Sequence, residues 1–202
     1  AGTVNPDGSV TLTPAQLAGL TITPPEDFSG DIALTVTATT VEANGDTASS
    51  ATDMTVTVVP VADAPVLVAN DVAGSEDSPI ALDLAASVTD TDGSESVTVT
   101  ISNIPEGAVL SAGTVNPDGS VTLTPAQLAG LTITPPADFS GDIALTVTAT
   151  TVEANGDTAS SATDMTVTVV PVADTPVLVV NDVAGSEDSP IALDLTASVT
   201  DT

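Results

Sequence analysis

The chain of 202 residues carries 28 acidic side chains and no lysine, arginine or histidine, for a formal charge of -28. Such a surface cannot displace counterions from phosphate, which excludes nucleic acid and anionic membranes as partners, and no cysteine is present to build a disulfide. Hydrophobic residues make up 42 %, nearly all aliphatic, with Phe28 and Phe139 the only aromatics, a composition that favours strands and can fill a core.

Residues 1–63 read as the C-terminal part of a repeat, because 1–91 recurs as 112–202, a shift of 111 residues. The copies differ only at Glu26/Ala137, Ala64/Thr175, Ala69/Val180 and Ala85/Thr196. Prolines stiffen the connections 60–65 and 171–176, so 64–174 is expected to be one complete domain and 175–202 the start of the next. The two end pieces cannot jointly make a domain, since neither has a counterpart of residues 92–111.

Within 64–174 the strand signals follow in order. Residues 65–72 form a short apolar run, and 80–88 follow the turn 74–79. Next comes Asp90-Thr91-Asp92-Gly93-Ser94-Glu95, three carboxylates across a bend that Gly93 permits. Val97, Val99 and Ile101 then alternate with Thr98 and Thr100, the pattern of a half-buried strand. Residues 108–115 and 121–123 flank a turn at Asn116-Pro117-Asp118-Gly119. Thr124, Pro125 and Gly130 are spaced as the N-cap, first position and terminator of one helical turn.

A short strand over 131–134 precedes the last pair, where Ile143, Leu145, Val147 and Ala149 alternate, as do Val167 and Val169. Between them, Asn155-Gly156 is a strong short hairpin signal. Short strands at this spacing over about a hundred residues predict an all-β chain of tandem immunoglobulin-like β-sandwiches, about seven strands each.

Strand direction sorts the acids to two ends. If the first strand runs away from the linker, Glu76 and Asp77 sit at the far pole and the second strand returns Asp90, Asp92 and Glu95 to the entry linker and its Asp63. The turn carrying Asp138 and Asp142 also falls at the far pole, beside the exit linker and Asp174, although the crossing at 124–130 leaves the parity open. The same acids recur as Asp27, Asp31, Glu187, Asp188 and Asp201. Hard divalent cations, calcium above all, take six to eight oxygen ligands from such turns, and no side chain here can otherwise neutralise them. A different reading of Asp138 is that it caps its own turn, with Phe139 plugging the sandwich end. Asp118 and Asp157 read as ordinary turn residues, and Asp83 and Asp164 as solvent-facing strand positions.

The carboxylate turn 90–95, the Asp-Ala-Pro linker at 63–65, the Glu-Asp pair at 76–77 and the acidic turn before the last hairpin resemble the cadherin-like interdomain calcium pattern. With the near-identical acidic copies around them, they resemble the extender-region tandem repeats of giant RTX-type bacterial surface adhesins. Two departures stand out: each linker holds one aspartate where cadherins have a denser run, and glycine-rich Asp nonapeptides are absent. The resemblance implies Ca2+ as the cofactor, neighbouring repeats of the same chain as the partners, and a monomeric array at the cell surface.

Catalysis is excluded on chemistry. Serine is plentiful, but no His, Lys or Cys exists to activate it, and a glycosidase-type acid pair would be expected beside aromatic sugar platforms, whereas the chain has no Trp or Tyr. The expected role is an extracellular spacer, each domain and linker advancing roughly 40–50 Å at ~3.3 Å per residue of strand. The alternative is an adhesive module that itself binds carbohydrate or another copy, which the scarcity of aromatics and the absence of arginine disfavour. A chain without Lys or Arg also offers trypsin-like proteases no site, which suits life outside a cell, and no apolar run is long enough to insert in a membrane. No export signal is visible, but Ala1 lies inside a repeat, so nothing follows from that.

Overall fold

The computed structural model describes residues 2–90 and 93–199. The chain divides into two bodies, Ala1–Pro60 and Val61–Thr202. In the first, β1 (Thr3–Val4) and β2 (Val10–Thr11) form a small hairpin, a 3-10 turn spans Pro14–Gln16, and β3 (Gly30–Val41) pairs with β4 (Thr47–Val58).

The second body is the sandwich. Its strands are β5 (Val66–Asn70), β6 (Val72–Ser75), β7 (Ile80–Ala81), β8 (Asp83–Ser87), β9 (Glu95–Ser102), β10 (Val109–Leu110), β11 (Thr114–Val115) and β12 (Val121–Leu123). After the helical turn α1 (Pro125–Leu128) come β13 (Thr132–Thr134), β14 (Gly141–Glu153) and β15 (Thr158–Val170). A separate hairpin of β16 (Val177–Asn181) and β17 (Asp194–Ser198) follows. One layer has the order β11-β12-β9-β14-β15-β6. The other holds β10-β13-β7 and β5-β8, stitched together where the Leu82 amide donates to the Leu131 carbonyl at 2.9 Å.

The all-β immunoglobulin-like fold is therefore as the strand spacing predicts, with one subdivision that periodicity does not show. The first expected strand breaks at Asp71: β5 pairs with β8 in one layer, and β6 crosses to run parallel to β15 in the other. The crossing is held by Asp71 Oδ1, which accepts the Thr166 amide at 2.7 Å. Replacing Asp71 by Ala leaves that amide without its charged acceptor and should cost about 1 kcal/mol. A shift in urea midpoint at unchanged m-value would register it.

The period-2 alternation points Ile143, Leu145, Val147 and Ala149 of β14 inward, against Val99 and Ile101 of β9, Met165 and Val167 of β15, and Ile80, Leu84 and Ile133 of the facing layer. Burial of each of these side chains larger than alanine contributes about 1.5–3 kcal/mol relative to exposure. Leu128 on α1 closes the core, and the turn is set by Thr124, whose amide donates to Gln127 Oε1 at 2.8 Å, with Gly130 at φ 73 just beyond it. Gly113 is required where β11 begins: its φ is 107, and a Cβ would run into Val121 Cγ1.

Identical residues in the first body show what covers the core. Val36 and Met54 are each 48 % exposed, whereas their counterparts Val147 and Met165 are 0 % and 1 %. The difference is β5 to β10, which have no counterpart in 1–60.

Candidate cation sites at the two poles

The exit pole forms because β6 and β15 run parallel and end together, Ser75 opposite Val170. The Glu76 amide donates to the Val170 carbonyl at 3.0 Å, which turns its side chain inward until only 3 % of the residue is exposed. Glu76 Oε1 accepts the Val172 amide at 2.5 Å, while its Oε2 is buried with no hydrogen-bond partner. Beside it, Asp77, Asp138 and Asp174 each present a carboxylate oxygen, all within 4.8 Å of one another. Two of these acids hold left-handed backbone, Asp77 at φ 57 and Asp138 at φ 56, which aspartate tolerates better than most residues but which still carries strain. The Asp138 amide also donates to Asp77 Oδ1 at 3.4 Å, tying the two turns together.

Three converging carboxylates repel. A pair at about 4 Å costs about 1 kcal/mol even at the dielectric constant of water, and more where solvent is excluded. With no basic side chain in the chain, compensation must come from a bound cation or from solution counterions.

Asp142 does not join the three. It lies on β14 with Oδ1 accepting the Thr168 hydroxyl at 2.8 Å across the hairpin, and Asp31 accepts from Thr57 in the same way at 2.7 Å. Of the two acids expected from this turn, Asp138 stands in the cluster and Asp142 pairs with Thr168. The physical reason is the strand itself, whose pairing directs residue 142 toward its cross-strand neighbour. In the other copies, Asp27 and Asp188 repeat the left-handed turn at φ 57 and 61, and Glu187 is exposed.

The entry pole forms where β8 returns, Ser87 standing opposite Val66 at the linker. That register places residues 88–90 beside the linker. Asp90 there is 8 % exposed, Gly93 bends at φ 84, and Asp92 lies outside the described residues, as does Asp201. Glu95 Oε1 accepts the amide of Asp63 at 2.9 Å, while Glu95 Oε2 is buried without a partner. Directly opposite Glu95 on the neighbouring strand stands Glu153, 3 % exposed. Its Oε2 accepts its neighbour Ala154's amide at 3.3 Å, and its Oε1 is buried without a partner.

Two like charges paired across a ladder, each with an orphaned oxygen, form the least compensated spot at this pole. Sequence reasoning passes over Glu153. The signal was present, since counting by twos from Val147 puts Ala149, Thr151 and then Glu153 on the inward face. What periodicity cannot supply is that Glu95 is its partner.

Asp157 is also more than a turn residue: its Oδ2 accepts the Ala62 amide at 3.2 Å. Buried Thr151 donates to the Asp63 carbonyl at 2.6 Å, and Ser161 to the Pro65 carbonyl at 2.8 Å, so residues 62–65 lie strapped to the sandwich. Asp118, by contrast, is the turn residue its neighbours suggest. The hydroxyl and amide of Ser120 both donate to Oδ1, holding the carboxyl below the usual carboxylate range. Asp83 and Asp164 are exposed on their strands and accept from Asn70 and Thr146.

The donors available at the two poles are carboxylates and backbone carbonyls, the oxygen-only set that hard cations prefer over soft or imidazole-seeking metals. Among the described residues, no helix is long and apolar enough to cross a membrane.

Residues 62–170 match the family described as a bacterial Ig domain, a stretch that spans the whole sandwich and more than half the chain. No curated protein matches the chain.

Proposed function

The chain belongs to the bacterial Ig-domain family, and from that membership we propose that it is an extender of a bacterial cell-surface adhesin whose joints are stiffened by calcium. That membership supports the coarse part of the reading, a structural or adhesive module of a surface protein. The observation that carries the finer reading is the set of buried carboxylate oxygens, Glu76 Oε2, Glu95 Oε2 and Glu153 Oε1, that lack any hydrogen-bond partner in a chain with no cationic side chain. A buried, uncompensated carboxylate is costly, so the arrangement favours a cation supplied from outside.

Glu76, Asp77, Asp138 and Asp174 would hold the ion at the exit pole. Asp63, Asp90, Asp92, Glu95 and Glu153 would do so at the entry pole. The ion's contribution is charge compensation and crosslinking. The protein's own residues position it: Glu76 and Glu95 tie the linker down, while Asp77 and Asp138 converge from two turns onto the linker residue Asp174. Crosslinked joints would carry a distal domain away from the cell. Extracellular calcium modules bind at about 10⁻⁴–10⁻³ M, so millimolar external calcium would load such joints and the cell interior would not.

Small-angle scattering of the chain in calcium and in chelator tests this. The expected result is a longer maximum dimension and a narrower distribution of extension in calcium. Superimposable profiles would remove the stiffening role. Retention of the chain on glycans, or self-association of this repeat alone, would move the reading to an adhesive module.

A further inference from the structure

The two linkers, compared position by position, give different backbone groups to the same sandwich. Val172 gives its N–H to Glu76 Oε1, on the sandwich that precedes its linker. Residues 60–65 match 171–176 except for Ala64 in place of Thr175, so Val61, Ala62 and Asp63 correspond to Val172, Ala173 and Asp174. In that copy Ala62 and Asp63 give their N–H groups to Asp157 Oδ2 and Glu95 Oε1, on the sandwich that follows. The Asp63 and Pro65 carbonyls are taken by Thr151 and Ser161 of the same following sandwich. One sandwich therefore holds its exit linker through Val172 and its entry linker through Ala62, Asp63 and Pro65.

We infer that Glu76 and Glu95 are positioning residues that dock the two linkers onto one sandwich, Glu76 holding the exit linker at Val172 and Glu95 the entry linker at Asp63. Each spends one oxygen on a linker amide and keeps the other buried and unpartnered. The neighbouring prolines add no slack, because their φ is fixed. Docking by Oε1 needs no metal. Its coupling to cation loading does rest on the calcium reading: an ion on Oε2 would fix the carboxylate rotamer that Oε1 requires, so loading would slow the opening of the linker amides.

Amide hydrogen exchange, read by NMR on the 202-residue chain, separates the two claims. In chelator, Glu95→Ala is expected to speed exchange at Asp63 by roughly tenfold and leave Val172 unchanged, and Glu76→Ala to do the reverse. Glu95→Gln and Glu76→Gln retain an acceptor oxygen and should keep the protection, and the core amide of Val147 should not move in any variant. Unchanged exchange at Asp63 and Val172 in the alanine variants would overturn the docking. The site-specific pattern without any further slowing in calcium would uphold docking and sink the calcium reading instead.

Discussion

Addition of 5 mM calcium to the chelated chain should raise its melting temperature by roughly 10 °C, from linkage of about 1–2 kcal/mol per ion at one ion per pole. The size follows from binding at about 10⁻⁴–10⁻³ M to the folded chain and not to the unfolded one, whose carboxylates are scattered. General screening also acts on a chain of net charge -28, so the comparison is sodium chloride at matched ionic strength, which reaches exposed charges but not a shielded pocket. If sodium chloride reproduces the whole rise, the poles are only a solvated acidic surface.

Glu153→Gln should have opposite effects in the two buffers. In chelator it removes one of two facing carboxylates and offers an amide N–H toward Glu95, so stability should rise by about 1–3 kcal/mol. In calcium the same change deletes a ligand oxygen's charge, and about half of the calcium-dependent gain, the entry pole's share, should disappear. Glu42 supplies an internal control: it occupies the corresponding position in the first body but is exposed, so Glu42→Gln should change little in either buffer. Loss of stability by Glu153→Gln in both buffers alike would mean that the carboxylate is held by something other than an ion. Isothermal titration of calcium into the variant gives the matching loss of binding heat.

Strand positions, the capped turn at 125–128 and the inward stripe of β14 were legible in the sequence because each depends on residues two to four apart. The polar sorting of acids was legible for the same reason: alternating strand direction sends Glu76 and Asp77 to one end and Asp90 and Glu95 to the other. Pairing across strands was not. That Glu153 faces Glu95, that Asp142 is drawn to Thr168 and away from Asp138, and that Asp157 takes a linker amide all depend on register between segments 26 to 95 residues apart. Local pattern decides which face a side chain occupies. Only the closed sandwich, by setting which strand lies beside which, decides what that face meets, and so which carboxylate oxygens are left buried without a partner.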